Sequence, residues 1–334
     1  MNLFITNREI IEENGIEGIR EDGREHAGDN LRFGEFKNNK FILFEEPAYE
    51  SETNYQDLLL KEKDELKGSV RFFRELYQEL IDSGGNKNDV LFFIHGFNTD
   101  LNDVQSAFKN LKEKYVDDPA SPVKHIVIFT WPGRSPKVPY HYFDDRKDAI
   151  RSGEALARGM EKVIRFFKDF LVKGDNVPCK RNIHLMVHSM GHRVVKHMML
   201  EMKENRLPYP DLFKEIILMA ADIEFDLFEP NEPFNKLIEF GKRIHIYFHE
   251  NDKVLDISKY TKNFSNRLGR YGRKKIDQSQ IDVCDADATG TKVDRSYGLE
   301  ERTLNHWYYY TSTDVVKDVI AVFNGKKSKY VVQK

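Results

Sequence analysis

The sequence predicts an α/β fold: a mostly parallel central sheet with helices on both faces. Three observations carry this. Short apolar runs alternate with long segments whose apolar residues recur at helical spacing, the pattern of strands joined by helical crossovers. Runs such as VLFFI (90–94) are apolar without alternation, as strands buried on both faces should be. No repeat or low-complexity linker divides the 334 residues, so a single domain with a large core is expected.

The elements follow in order. LFITNRE (3–9) and KFILFEE (40–46) read as opening strands, and residues 61–81 carry apolar positions at helical spacing. Strand 90–94 is followed by a helix over 101–115 and then the strand HIVIFTWPG (125–133). Residues 148–172 form a long helix. The strand IHLMVHS (183–189), a helix over 190–205 and the strand EIILMAAD (215–222) come next. A further helix precedes RIHIYFHEND (243–252). A helical segment then runs toward Leu268, the weak strand QIDVCDA (280–286) follows, and a last helix starts near Asp314. Residues 269–302 are polar and glycine-rich, and are expected to be mostly loop. Within the one domain, residues 1–89 supply the first strands and helix and residues 90–325 the α/β core. Residues 326–334, KKSKYVVQK, make a flexible basic tail.

Composition narrows the function classes. Apolar residues make up 40% and aromatics 12%, as in a globular protein. The 52 basic and 55 acidic residues give a formal charge of −3, so nothing in the net charge calls for nucleic acid as a partner. The two cysteines, Cys179 and Cys284, read as reduced thiols. The opening residues lack the basic and apolar regions of a secretory leader, and no run approaches a membrane span. A cytoplasmic protein is expected. The sequence carries no signal for oligomeric state.

In open parallel sheets, ligands bind beyond the carboxyl ends of the strands, so the polar groups there are the site candidates. The successive ends carry His95-Gly96-Phe97-Asn98, then Trp131-Pro132-Gly133, then His188-Ser189-Met190-Gly191, then Asp222, then Glu250-Asn251-Asp252. A loop after the last strand leads to His306. A serine hydroxyl is a poor nucleophile unless a histidine takes its proton and a carboxylate holds that histidine. Ser189, Asp252 and His306 supply those types in the chain order serine, acid, histidine.

With FIHGFN, TWPGR, VHSMGHRV, MAADIEFDLF, FHENDKVLDIS, RLG, IDVCDAD and NHWYYYTS, spread over residues 90–319, the chain resembles the α/β hydrolases. More narrowly, it resembles their uncharacterised bacterial serine-hydrolase branch. The resemblance implies that Ser189 is the nucleophile, Asp252 the acid and His306 the general base. The backbone N–H groups of Phe97 and Met190 would form the oxyanion hole. Asp222 is the alternative acid, because some hydrolases place it after that earlier strand; Asp256 could merely cap a helix. The implied activity is hydrolysis of a small-molecule ester or related acyl bond, without a cofactor. The eleven histidines and two cysteines show no metal-ligand spacing. The other class to weigh is a binding or scaffold protein that keeps the fold without turnover.

Two positions depart from the pattern. Val187 stands where the turn before the nucleophile usually has glycine or alanine, and valine should crowd its neighbour unless that neighbour is small. His192 replaces the asparagine or glycine common in relatives. His95 reads as a structural ring bonded to the oxyanion loop, and His188 as structural, pointing away from Ser189. Asn98 is a helix cap or a substrate contact. The segment leaving strand 125–133, with Trp131 and Tyr140, could line the substrate pocket as a lid or be an ordinary loop. Its Arg134 and Lys137, with Arg146 beyond, could favour an anionic substrate or simply face solvent.

Overall fold

In the computed structural model of the chain, the described residues are 1–21, 26–46, 65–82, 87–133, 141–166, 181–256, 265–274, 280–301 and 303–332. Among them eleven strands are named: β1 (Asn2–Thr6), β2 (Ile10–Glu13), β3 (Ile16–Ile19), β4 (Arg32–Lys37), β5 (Lys40–Leu43), β6 (Asp89–Ile94), β7 (Val123–Thr130), β8 (Ile183–His188), β9 (Phe213–Met219), β10 (Gly241–Phe248) and β11 (Val283–Asp287). Nine of these form one sheet in the order β11-β10-β9-β8-β6-β7-β1-β4-β5. Neighbours from β11 to β1 run parallel. β4 and β5 add an antiparallel edge.

The period-2 pleat divides each apolar strand between two cores. Val90, Ile94, Val127, Phe129, Leu185, Val187, Ile216 and Leu218 face one side. There they meet α1 (Gly68–Asp82), α3 (His141–Phe166) and α4 (Gly191–Glu204) through Phe72, Leu156, Val194 and Met198. Leu91, Phe93, Ile126, Ile128, Met186, Ile217 and Met219 face the other side. They pack on α2 (Leu101–Leu111) and α5 (Thr313–Phe323) through Val104, Phe108, Val315 and Val319. The chain therefore has the α/β-hydrolase fold expected. Strand order reverses at β6, with β7 on one side and β8 on the other. The crevice between the carboxyl ends of β6 and β8 is the position where such sheets bind ligands.

Several elements differ in detail from the sequence reading. The opening region contains a separate hairpin, β2–β3, turning at Asn14-Gly15 with φ of 55° and 76°. β4 and β5 turn at Asn38-Asn39, again with positive φ. Both are turns whose twist suits a two-residue hairpin. The helix read over 101–115 is α-helical to Leu111 and continues as a π turn, Lys112–Val116. The long helix starts earlier than read, at His141. The helix before β10 is a 3-10 helix, Pro233–Phe240. Cys284 is a buried free thiol, and Cys179 lies outside the described residues. Among the described residues no helix is long and apolar enough to cross a membrane.

The basic tail is not a loose end over residues 328–332. Asp318 is buried on α5, and a buried carboxylate needs donors. Its oxygens accept from the Tyr247 hydroxyl at 2.6 Å, the Ser328 hydroxyl at 2.5 Å and the Lys329 N–H at 2.9 Å. Beyond these, the Val332 N–H donates to the Asp285 carbonyl at 2.9 Å and the Asp287 N–H to the Tyr330 carbonyl at 3.0 Å. The tail thus covers the otherwise open edge of β11. Deleting residues 327–334 takes two of the three donors from Asp318. An expected cost of about 2–3 kcal/mol follows, read as a drop in thermal midpoint; a truncated chain melting with the wild type would contradict this role.

Candidate active site

The site is built where β8 turns into α4. Ser189 occupies that turn with φ of +51°, a left-handed conformation that costs a non-glycine residue on the order of 1–2 kcal/mol. Its surroundings hold it there. The Ser189 N–H donates to the Met219 carbonyl at 3.1 Å. Its carbonyl accepts from the His192 N–H at 3.2 Å, the Asp222 N–H at 3.2 Å and the His192 ring Nδ1–H at 2.8 Å. Glycines admit the close approach. A Cβ on Gly96 would lie 2.7 Å from Ser189 Cβ, and one on Gly191 would lie 2.6 Å from the His95 carbonyl oxygen.

Val187 does not prevent this turn. It pairs with Ile94 on β6 and Leu218 on β9, neither of them small, and its side chain is fully buried in the core. With Val187 packed there, Ser189 keeps its left-handed φ. The other departure, His192, has a function in the turn: burial pushes its pKa down to about 3, so the neutral ring serves as one more N–H donor to Ser189.

His306 arrives on the 3-10 turn Leu304–His306. Its Nδ1–H donates to Asp252 Oδ2 at 2.7 Å, with both side chains buried. The other Asp252 oxygen accepts the N–H groups of Val254 at 3.0 Å and Leu255 at 3.3 Å, which fixes the carboxylate. Asp222 is differently engaged: its carboxylate lies 3.5 Å from Arg267 Nε. Asp256 pairs with Arg270. Of the two candidate acids, Asp252 is the one bonded to the imidazole.

His188 bonds to the loop that carries His306. Its Nε2–H donates to the His306 carbonyl at 3.0 Å, and the two rings lie 4.8 Å apart. Burial, with His306 nearby, holds its pKa well below the ordinary value, so the ring is neutral. The Tyr308 hydroxyl pins the same loop by donating to the Tyr247 carbonyl at 2.8 Å and accepting from the Ala220 N–H at 2.9 Å. Among the described residues no hydrogen bond joins the Ser189 hydroxyl to His306.

The loop after β6 is clamped from behind. His95 Nδ1–H donates to the Gly96 carbonyl at 2.9 Å, and Nε2 accepts the Trp131 N–H at 3.1 Å. Trp131 stacks on that ring and donates its indole N–H to the His95 carbonyl at 3.1 Å. Trp131, a pocket candidate by sequence, is thus fully buried behind the loop. Asn98 has φ of +52° and donates its N–H to Asp145 at 3.2 Å. It does not cap α2; Asp100 does, in a capping box with Asp103. Tyr140, Arg134 and Lys137 lie outside the described residues. Met190 is the N-cap of α4, so its N–H belongs to those a helix start leaves without an internal acceptor. Among the described residues no three His, Cys, Asp or Glu side chains gather as a metal site would need.

One contributor escapes sequence reading. Arg8, just past β1, is buried and donates to the Thr99 carbonyl at 2.6 Å and to the Thr130 hydroxyl at 2.9 Å. It ties the loop after β6 to the end of β7. A lone arginine at a strand end has no pattern that would have revealed this.

The chain belongs to a family described as alpha/beta hydrolase of unknown function (DUF900), which matches it over residues 73–322. No curated protein matches its sequence. Among solved structures it is similar to the "putative cell surface hydrolase" of Lactobacillus plantarum WCFS1, at 12% identity. That likeness covers 75% of this chain and 100% of that one, with a TM-score of 0.35. It is also similar to phospholipase PlaB from Legionella pneumophila, in complex with thio-NAD, at 16% identity. That likeness covers 66% of this chain and 41% of the phospholipase, with a TM-score of 0.25. The chain thus spans less than half of the phospholipase's length.

The neutral histidines make stability depend on pH. Burial, joined for His95 by the charge of Arg8, pushes both His95 and His192 down to about 3. Between that value and the ordinary 6.5 the unfolded chain binds more protons than the folded one. Stability present above pH 6.5 is therefore lost as pH falls. Going from pH 7 to pH 5 should cost about 2 kcal/mol per histidine, measured by urea unfolding, and H192N should show a shallower dependence.

Proposed function

We propose that this α/β hydrolase is a serine hydrolase that cleaves an ester or related acyl bond of a small molecule through an acyl-enzyme. The observation that carries the reading is the buried 2.7 Å bond between His306 and Asp252, on a loop that His188, the neighbour of the strained Ser189, holds by its carbonyl. With Nδ1–H committed to Asp252, Nε2 of His306 is the unprotonated nitrogen and can accept the Ser189 proton. The resulting imidazolium keeps its bond to the Asp252 carboxylate.

The steps follow from those roles. Ser189 Oγ attacks the carbonyl carbon as its proton passes to His306 Nε2, through a hydrogen bond that forms in the substrate complex. The carbonyl oxygen becomes an oxyanion facing the N–H groups of Phe97 and Met190, where the start of α4 adds positive partial charge. Collapse breaks the bond to the leaving oxygen, which takes the proton from His306. Water, deprotonated by His306, then attacks the acyl-enzyme, and Ser189 regains its proton as the acid leaves. The clamp formed by Arg8, His95 and Trp131 keeps the Phe97 loop in place, so the donors are oriented before charge develops.

A fluorophosphonate probe should label the wild type and not S189A. A wild type that resists labelling would favour a non-catalytic scaffold instead. D252N should lower kcat on p-nitrophenyl esters about 10³–10⁴-fold by stabilising the wrong histidine tautomer. D222N should lose far less, because Asp222 faces Arg267. Equal losses in the two variants would sink the assignment of the acid.

A further inference from the structure

The first turn of α4 carries a charge that the proposed reaction does not use. Arg193 follows Ser189 by four residues and is only 3% exposed. Its Nε and Nη2 are sealed from solvent and have no hydrogen-bond partner among the described residues. A guanidinium cannot escape the cost of burial by losing its proton. Buried charges are ordinarily paired, and an unpaired one is strongly unfavourable.

The neighbouring acids are already engaged. Asp222 faces Arg267 Nε at 3.5 Å. Glu224 takes Lys196 Nζ at 3.1 Å and Arg267 Nη1 at 3.4 Å. Arg146 on α3 stands in the same field, where burial and the charge of Arg193 both pull its pKa down. Among the described residues, Arg146, Arg193, Lys196 and Arg267 thus share two carboxylates, Asp222 and Glu224, and the charges of Lys196 and Arg193 hold Glu224 down to about 2 against its burial. His197 adds no negative charge; burial and Arg193 push it down to about 4, leaving it neutral. The cluster borders the nucleophile, because the Asp222 N–H donates to the Ser189 carbonyl. It also lies along the close contact of α3 with α4: a Cβ on Gly153 would lie 2.5 Å from the Val194 carbonyl oxygen.

We propose that Arg193, with Arg146 beside it, forms an anion-binding subsite next to Ser189, and that the natural substrate carries a carboxylate or phosphate group there. A planar guanidinium suits either oxyanion through two parallel N–H···O bonds. The word substrate rests on Ser189 being the nucleophile; the anion site does not.

Two measurements test it separately. The full chain carrying S189A is titrated calorimetrically with inorganic phosphate and with succinate at fixed ionic strength. Saturable binding of at least one is expected, weakened at least tenfold by an added R193M and partly restored by R193K. In active protein, kcat/KM is compared for p-nitrophenyl hemisuccinate against p-nitrophenyl butyrate, and for acetyl esters of 4-hydroxybenzoate against 4-hydroxybenzamide. On one side of the bond the anionic-to-neutral ratio should fall at least tenfold in R193M. No saturable binding of either anion to S189A overturns the subsite, as does binding that R193M leaves unchanged. If R193M does not fold, the same comparison is made with R193K and R146M, and binding unaffected by both overturns it. Saturable, Arg193-dependent binding with no ester turned over would sustain the subsite and defeat the hydrolase reading alone.

Discussion

The site depends on one strained residue. Ser189 sits at φ of +51°, and nothing in serine itself favours that. The conformation persists because its carbonyl collects three N–H donors and its own N–H reaches the Met219 carbonyl across to β9. Those partners come from β9 and the segment just after it, and from the N–H and neutral imidazole of His192 on α4, so the turn is specified by the assembled sheet rather than by local propensity. Gly96 on β6's exit completes it by offering no side chain where Ser189 Cβ must lie.

The second half of the site is positioned by elements distant in sequence. His306 is reached through a polar segment after the last strand, yet it is held from three sides: Asp252 on its ring, His188 on its carbonyl and Tyr308 two residues on. His188 belongs to the same strand that presents Ser189. Serine and histidine are therefore referenced to one backbone, and preorganisation of this kind is the condition for electrostatic catalysis.

How much of this could be read from residues alone follows from which interactions are local. Apolar runs such as VLFFI and IHLMV announce buried parallel strands because burial on both faces removes any alternation, and the strand-end rule then gathers Ser189, Asp252 and His306. The choice between Asp252 and Asp222 is not local: it turns on which carboxylate the distant His306 ring meets. The room available to Val187 is not local either, because it depends on the packing of the two flanking strands. Trp131 was a pocket candidate by its place at a strand end, and its indole N–H is committed to the His95 carbonyl. The hairpin at Asn14-Gly15 carried a legible turn signal between its β-branched runs. The tail's docking did not, since a buried Asp318 cannot be told from a solvated one by its neighbours in the chain.

The family match begins at residue 73, but the sheet does not. β1 lies between β7 and β4, six pairings away from β11, and Arg8 just beyond it reaches the loop that precedes α2. A chain trimmed to the shared region would bare the long apolar flank of β7 as a template for self-association and leave the Thr99 carbonyl without its guanidinium. Insolubility of such a fragment would reflect that lost neighbour, not an intrinsic defect in the region the family holds in common.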